Sequence, residues 1–96
     1  MYTTVRHYQD EASDVVEQIR QHAARLRELM TGIEGFVAYY LVDSGGGSLV
    51  TVSVFADRAG AEESTRAAAA LIGELGLGDA LPNPPTIMQG EVAVHA

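Results

Sequence analysis

Residues 35–55, GFVAYYLVDSGGGSLVTVSVF, set two apolar runs on either side of a glycine-rich tip. β-Branched and aromatic residues favour extended chain, and a short Asp/Ser/Gly cluster between two such runs marks a hairpin. The constraint on the fold is that this hairpin is apolar on both sides. An antiparallel sheet with one wet face alternates apolar and polar residues along each strand. This one does not, so each face needs a cover. With 96 residues the chain reads as a single domain over 1–96, because two halves would each be too small for a core of their own. Such a chain has helix enough for one face and no third layer for the other.

The flanking segments supply the remaining elements. YTTVRHY, residues 2–8, reads as a strand. Val16, Ile19, Ala23, Leu26 and Met30 then recur at helical spacing, widened by Val15 and Leu29. Asp10 or Ser13 is placed to cap this helix, which should end near Gly32. Asp57 is the N-cap expected for a second helix, with Ala61, Thr65, Ala68, Leu71, Ile72 and Leu75 as its small-residue stripe. That helix ends in the GLG of residues 76–78, since glycine costs about 1 kcal/mol against alanine in a helix. DALPNPP, residues 79–85, is a rigid connector, because proline lacks the amide donor that a helix or central strand requires. TIMQGEVAVH, residues 86–95, alternates as a last strand. The order is β-α-β-β-α-β. Right-handed crossovers around a central hairpin give a ferredoxin-like α+β fold: a four-stranded antiparallel sheet, order 4-1-3-2, with both helices on one face.

Parity assigns the faces of the hairpin. If Asp43 and Ser48 close a loop around residues 44–47, Val42 stands opposite Leu49, and opposite residues share a face. Val37, Tyr39 and Leu41 then join Val50, Val52 and Val54 under the helices. Phe36, Ala38, Tyr40, Val42, Leu49, Thr51, Ser53 and Phe55 take the open face. A one-residue slip would scramble this division, whereas a two-residue slip would keep it. The open face so assigned is too apolar to remain wet, and a second copy of the chain in a symmetric homodimer is its expected cover.

Charge and composition narrow the partners. Six arginines are spread among thirteen acids, for a net charge of −7, which leaves no cationic cluster for a phosphate backbone or an anionic membrane. Without cysteine, disulfides and thiolate metal sites are excluded, and His7, His22 and His95 have no ligand spacing, so no metal site is expected. No apolar run approaches the ~20 residues that cross a bilayer, and no leader is evident. A cytoplasmic protein is the expectation. DSGGGS lacks the lysine and following helix of a phosphate loop, so a flexible hairpin tip accounts for it better.

GFVAYYLVD opening the second strand, and VSVFADRAGAEES running from the third strand into an acid-capped helix, resemble the antibiotic-biosynthesis-monooxygenase-like group. With the β-α-β-β-α-β order, the resemblance covers essentially the whole chain. It implies a dimeric α/β barrel related to the stress-responsive barrel proteins, in which two ferredoxin-like units pack sheet against sheet with a cavity in each half. Some such proteins oxidise polycyclic aromatic molecules without metal or flavin, and others degrade haem. The haem-degrading pattern of Trp, Asn and a helical His does not carry over. This chain has no Trp, its one Asn is Asn83 in the connector, and its second helix has no His.

Within such a barrel, alternation marks candidate ligand contacts. With Val5, Val92 and Val94 towards the helices, Thr4, Arg6, Tyr8, Gln89 and Glu91 face the chamber. Tyr40, Thr51, Ser53 and Phe55 join them. An apolar pocket with a few convergent polar groups is the usual form of a small-molecule site. Arg6 and Glu91 lie on neighbouring strands and are placed to pair, either about a ligand or as a structural ion pair at a dimer seam. Two functions follow. One is a cofactor-independent monooxygenase-like enzyme acting on an apolar small molecule between helices and sheet. The other is a non-catalytic small-molecule-binding or stress-related barrel.

Overall fold

The computed structural model describes residues 1–96. In chain order its elements are β1 (Tyr2–Tyr8), α1 (Val15–Arg20), α2 (Ala23–Thr31), β2 (Phe36–Gly45), β3 (Ser48–Phe55), α3 (Arg58–Glu74) and β4 (Thr86–Glu91). The strands form one antiparallel sheet in the order β2-β3-β1-β4, the ferredoxin-like order expected from the sequence. β1 is central, pairing Val5 with Val52 of β3 on one side and with Met88 of β4 on the other.

The first predicted helix is two. α1 and α2 are separated at Gln21 and His22, where the His22 amide bonds the Ile19 carbonyl at 2.9 Å, three residues back. The reason lies in what each half covers. Val15 of α1 packs with Leu49 and Ala80 near the hairpin tip, whereas Met30 of α2 packs with Tyr2, Phe55 and Ala61 at the other end of the sheet. The expected caps also differ. Asp14 precedes α1 without a side-chain cap bond, and Asp10 sits in the left-handed region at φ 59°. α3 begins as expected, with Asp57 Oδ1 accepting from the Gly60 amide at 3.1 Å. Gly60 is also where the helix meets the sheet: an added Cβ would lie 2.9 Å from Phe55 Cδ1.

The hairpin corrects the face assignment. Gly46 and Gly47 form a two-residue turn with φ of 61° and 82°, the geometry whose twist matches that of paired strands. Gly45 therefore pairs with Ser48, and an irregularity between Asp43 and Gly45 absorbs the extra residue. Val42 consequently stands opposite Val50, and Asp43 opposite Leu49. This is the one-residue slip that exchanges the faces of β3. Leu49, Thr51, Ser53 and Phe55 are buried under the helices, and Val50, Val52 and Val54 lie on the open face. A second irregularity at Val37 keeps Phe36 on the helix side, edge-on to Phe55 with ring centroids 5.9 Å apart.

The same correction reverses β1. Tyr2, Thr4, Arg6 and Tyr8 share the helix face with their β3 partners, and Val5 points to the open side. β4 ends at Glu91, so Val92 and Val94 do not face the helices within a strand; Val94 is 87% exposed. The open face is left with Thr3, Val5 and His7 on β1, Ala38, Tyr40 and Val42 on β2, and the three β3 valines. Met88 lies on the same side of β4, and no Asp, Glu, Lys or Arg occupies the face.

Beyond the sheet, three loops are tied together at the hairpin-tip end. The buried Glu11 carboxylate accepts from the Asn83 amide at 2.8 Å, while the Ala12 amide bonds the Ala80 carbonyl at 3.1 Å. The Glu11 amide in turn donates to Gly47 O at 3.0 Å. The proline-rich connector is thereby fixed against the protein, with Leu77 and Ala80 buried.

Candidate small-molecule groove

The core is not continuous. One cluster centres on Phe55 and Met30, the other on Leu49 and Val15. Between them α3 presents Ala68 and Ala69, side chains too short to fill the space above the sheet. The result is a groove of about 270 Å³ between helices and sheet. Its floor is Arg6 and Tyr8 of β1, Tyr39 and Leu41 of β2, and Leu49 and Thr51 of β3. Ile19, His22, Leu26 and Met30 form the wall on the α1–α2 side. The connector closes the tip end with Leu77, Leu81 and Pro85. Fifteen of the twenty lining residues are hydrophobic, so an apolar ligand would leave water with little polar penalty.

The polar groups converge on the floor. Arg6 Nη2 donates to Thr65 Oγ1 on α3, and Thr65 Oγ1 donates to the Ala61 carbonyl at 3.1 Å. Arg20, Arg25, Arg58 and Arg66 each pair with a glutamate, but Arg6 has no acidic partner. Burial pushes the Tyr39 phenol up to about 12, with nearby Tyr8 adding to the rise and Arg6 opposing it. Burial also raises Tyr8, again against the pull of Arg6, with Glu11 adding to the rise. Both phenols therefore stay protonated near neutral pH and serve as hydrogen-bond donors. His22 is the one imidazole in the lining.

Of the residues singled out from sequence, Arg6, Tyr8 and Thr51 come together in this groove. Ser53 and Phe55 share its side of the sheet but are sealed in the core at 1% and 0% exposure. Tyr40 is on the opposite face, 61% exposed. Gln89 and Glu91 lie on the outer strand, where Glu91 pairs with Tyr2 in the register and Arg6 pairs with Ile87. The expected Arg6–Glu91 ion pair is therefore absent, because Glu91 lies four positions along β4 from Ile87, the partner of Arg6; Glu91 instead approaches the chain's N-terminal amine at 3.9 Å. Tyr39, Thr65 and His22 were not among the candidates. Tyr39 lies under the helices, where parity placed it, and was missed because the site was sought on the opposite face; the alanine run 67–70 is the signal that α3 leaves space over the sheet.

No protein-family model matches the chain, and no curated protein matches it in sequence. Solved structures match over nearly its whole length. One is a candidate antibiotic biosynthesis monooxygenase from Nitrosomonas europaea, with a TM-score of 0.77 at 14% identity, covering 98% of this chain and 100% of that one. Another is the ActVA-Orf6 monooxygenase of Streptomyces coelicolor in complex with nanaomycin D, with a TM-score of 0.69 at 14% identity, covering 99% and 91%. The chain has the antibiotic biosynthesis monooxygenase fold. A further match with this fold is the Nitrosomonas europaea protein NE2512, described as of unknown function, with a TM-score of 0.74 at 21% identity and 99% and 91% coverage. The resemblance read from GFVAYYLVD and VSVFADRAGAEES thus holds at the level of fold. No helix is long and apolar enough to cross a membrane.

Proposed function

We propose that the protein is a homodimer joined through its open sheet face, binding a small apolar molecule in the groove of each subunit as a monooxygenase-like enzyme. The carrying observation is the groove itself: an unfilled apolar space over the sheet with one guanidinium and two protonated phenols on its floor. The likeness to a monooxygenase solved with a bound ligand supports the reading. In this role Arg6 and the phenols of Tyr8 and Tyr39 orient a substrate oxygen, and His22 is the base that draws a proton from the substrate. Dioxygen is the co-substrate: a CH₂ group and O₂ become a carbonyl and water, with the electrons coming from the substrate carbon.

The dimer reading rests on the open face, which holds no Asp, Glu, Lys or Arg and on which Tyr40, Val42 and Met88 are 61%, 48% and 62% exposed in the single chain. Contiguous apolar surface of this kind marks an interface in a soluble domain, and a symmetric dimer would set Val5, Val50, Val52 and Val54 against the same residues of a second copy. Native mass spectrometry of the purified protein reports dimer mass and retained ligand together. A clean monomer at micromolar concentration would remove the dimer. Dimers that neither carry nor accept any small molecule would leave the groove without a function.

A further inference from the structure

Arg6 is half-buried in an apolar groove, and its one hydrogen-bonded partner is a neutral hydroxyl. In a chain with thirteen acids, every acidic residue is kept out of the groove lining. A guanidinium that faces an apolar groove with no carboxylate beside it keeps most of its donor fork free for an anion. The missing partner is an anion that the chain does not supply. Guanidinium offers five N–H donors in a planar fork, of which Thr65 engages Nη2, and that fork matches the two oxygens of a carboxylate. Tyr8 and Tyr39, both on the floor beside Arg6, add neutral donors that stabilise an anion without competing for it.

Size limits the rest of the ligand. The groove, at about 270 Å³, lies just under the range usual for drug-sized ligands. Taking ~30 Å³ per water-sized group, it holds on the order of ten non-hydrogen atoms. The walls are chiefly aliphatic: Ile19, Leu26, Leu71, Ile72 and Leu75 surround the space above Arg6.

We propose that the groove takes a small monocarboxylate with an apolar body, its carboxylate held by Arg6 and its body lying against α2 and α3. This rests on the groove being a ligand site, as argued above, and specifies the ligand's charge and size.

The test uses the full chain and two probes of matched size, octanoate and 1-octanol, titrated by calorimetry with amide chemical shifts of residues 65–72 reporting the location. Octanoate is expected to bind roughly tenfold or more tightly than 1-octanol, as a charge-assisted hydrogen bond would give. Arg6→Gln should level the two probes. Arg27→Gln, which removes an exposed arginine outside the groove, should leave the preference intact. Should Arg6→Gln fail to fold by circular dichroism, Arg6→Lys carries the same test, since it keeps the charge and loses the fork, and the preference should shrink without vanishing. Equal binding of both probes to the wild type overturns the carboxylate assignment while leaving the groove as a ligand site. Tighter binding of 4-butylphenol than of octanoate overturns it in favour of a phenolic ligand. If none of the probes binds at millimolar concentration, both the assignment and the groove reading fall.

Discussion

Arg6 of β1 and Thr65 of α3 are joined by a hydrogen bond from Nη2 to Oγ1, which bridges the groove from the sheet to the helix above it. The bond is exposed to solvent, so it contributes little to stability. Thr65→Val is expected to cost about 1 kcal/mol or less. It frees the guanidinium, and octanoate should bind at least as well as to the wild type. A loss of binding comparable to that of Arg6→Gln would mean that Thr65 holds Arg6 in its working position. Urea denaturation and calorimetry give the two readings.

Val52 sits at the middle of the open face, opposite Val5 on one side and Tyr40 on the other. Val52→Arg places an unpaired charge in the proposed interface. Size-exclusion chromatography at micromolar concentration should show a monomer that retains its far-ultraviolet dichroism. Val94→Arg, in the exposed tail, should leave the dimer unchanged. A dimer that survives Val52→Arg places the interface elsewhere.

Phe55 is fully buried and joins Tyr2, Met30 and Ala61 to Phe36 and Tyr39. Phe55→Ala is expected to cost about 3–5 kcal/mol through lost burial and the cavity left behind. Domains of this size are stable by about 5–15 kcal/mol, so the variant should lose a large share of its stability while the urea transition stays measurable. Phe55→Leu, which keeps most of the volume, should lose much less. Urea midpoints of the two variants decide the matter.

The Tyr39 phenol, held up at about 12 mainly by burial, links stability to alkaline pH. The unfolded chain loses this proton near the ordinary value of 10, and the folded chain keeps it to higher pH. Folded protein therefore binds more protons in that window, and stability falls as pH rises from about 10 towards 12. Below 10 this contribution is present in full. Urea midpoints measured across pH 9 to 11.5 should decline more steeply for the wild type than for Tyr39→Phe. Parallel slopes would show that another group governs the alkaline limb.

Glu11 accepts from the Asn83 amide at 2.8 and 3.4 Å and fixes the connector that closes the groove. Glu11→Ala leaves that amide without its partner, at a cost of about 2 kcal/mol. Hydrogen exchange at Asn83 and Ala80 should accelerate relative to β1. Unchanged exchange would mean that the Ala12–Ala80 bond holds the connector unaided.

The order of elements, the strand order and the apolar character of both sheet faces were all legible in the chain. They follow from periodicity, capping residues and the prolines of the connector, which are local properties. Asp57 caps α3 where expected, and the helix stops where glycine makes continuation expensive. The division of the first helix was not legible, because Gln21 and His22 are not helix breakers; the break comes from two core clusters at opposite ends of the sheet.

The assignment of faces is where tertiary structure decided. Both faces of β3 are apolar, Leu49 and Phe55 on one and three valines on the other, so pattern gives no preference between them. The glycine turn together with the irregularity between Asp43 and Gly45 moved the register by a net one residue, and packing selected the outcome: α3 meets the sheet with Gly60, Ala61 and Ser64, and only a bulky side chain such as Phe55 fills the space beneath them. Sequence alone placed Arg6 and Tyr8 on the face of β1 away from Val5, together and on one strand. The fold determined that this face lies under the helices, because small helix residues demand large sheet residues opposite them, and where the alanines of α3 stop short the space stays open.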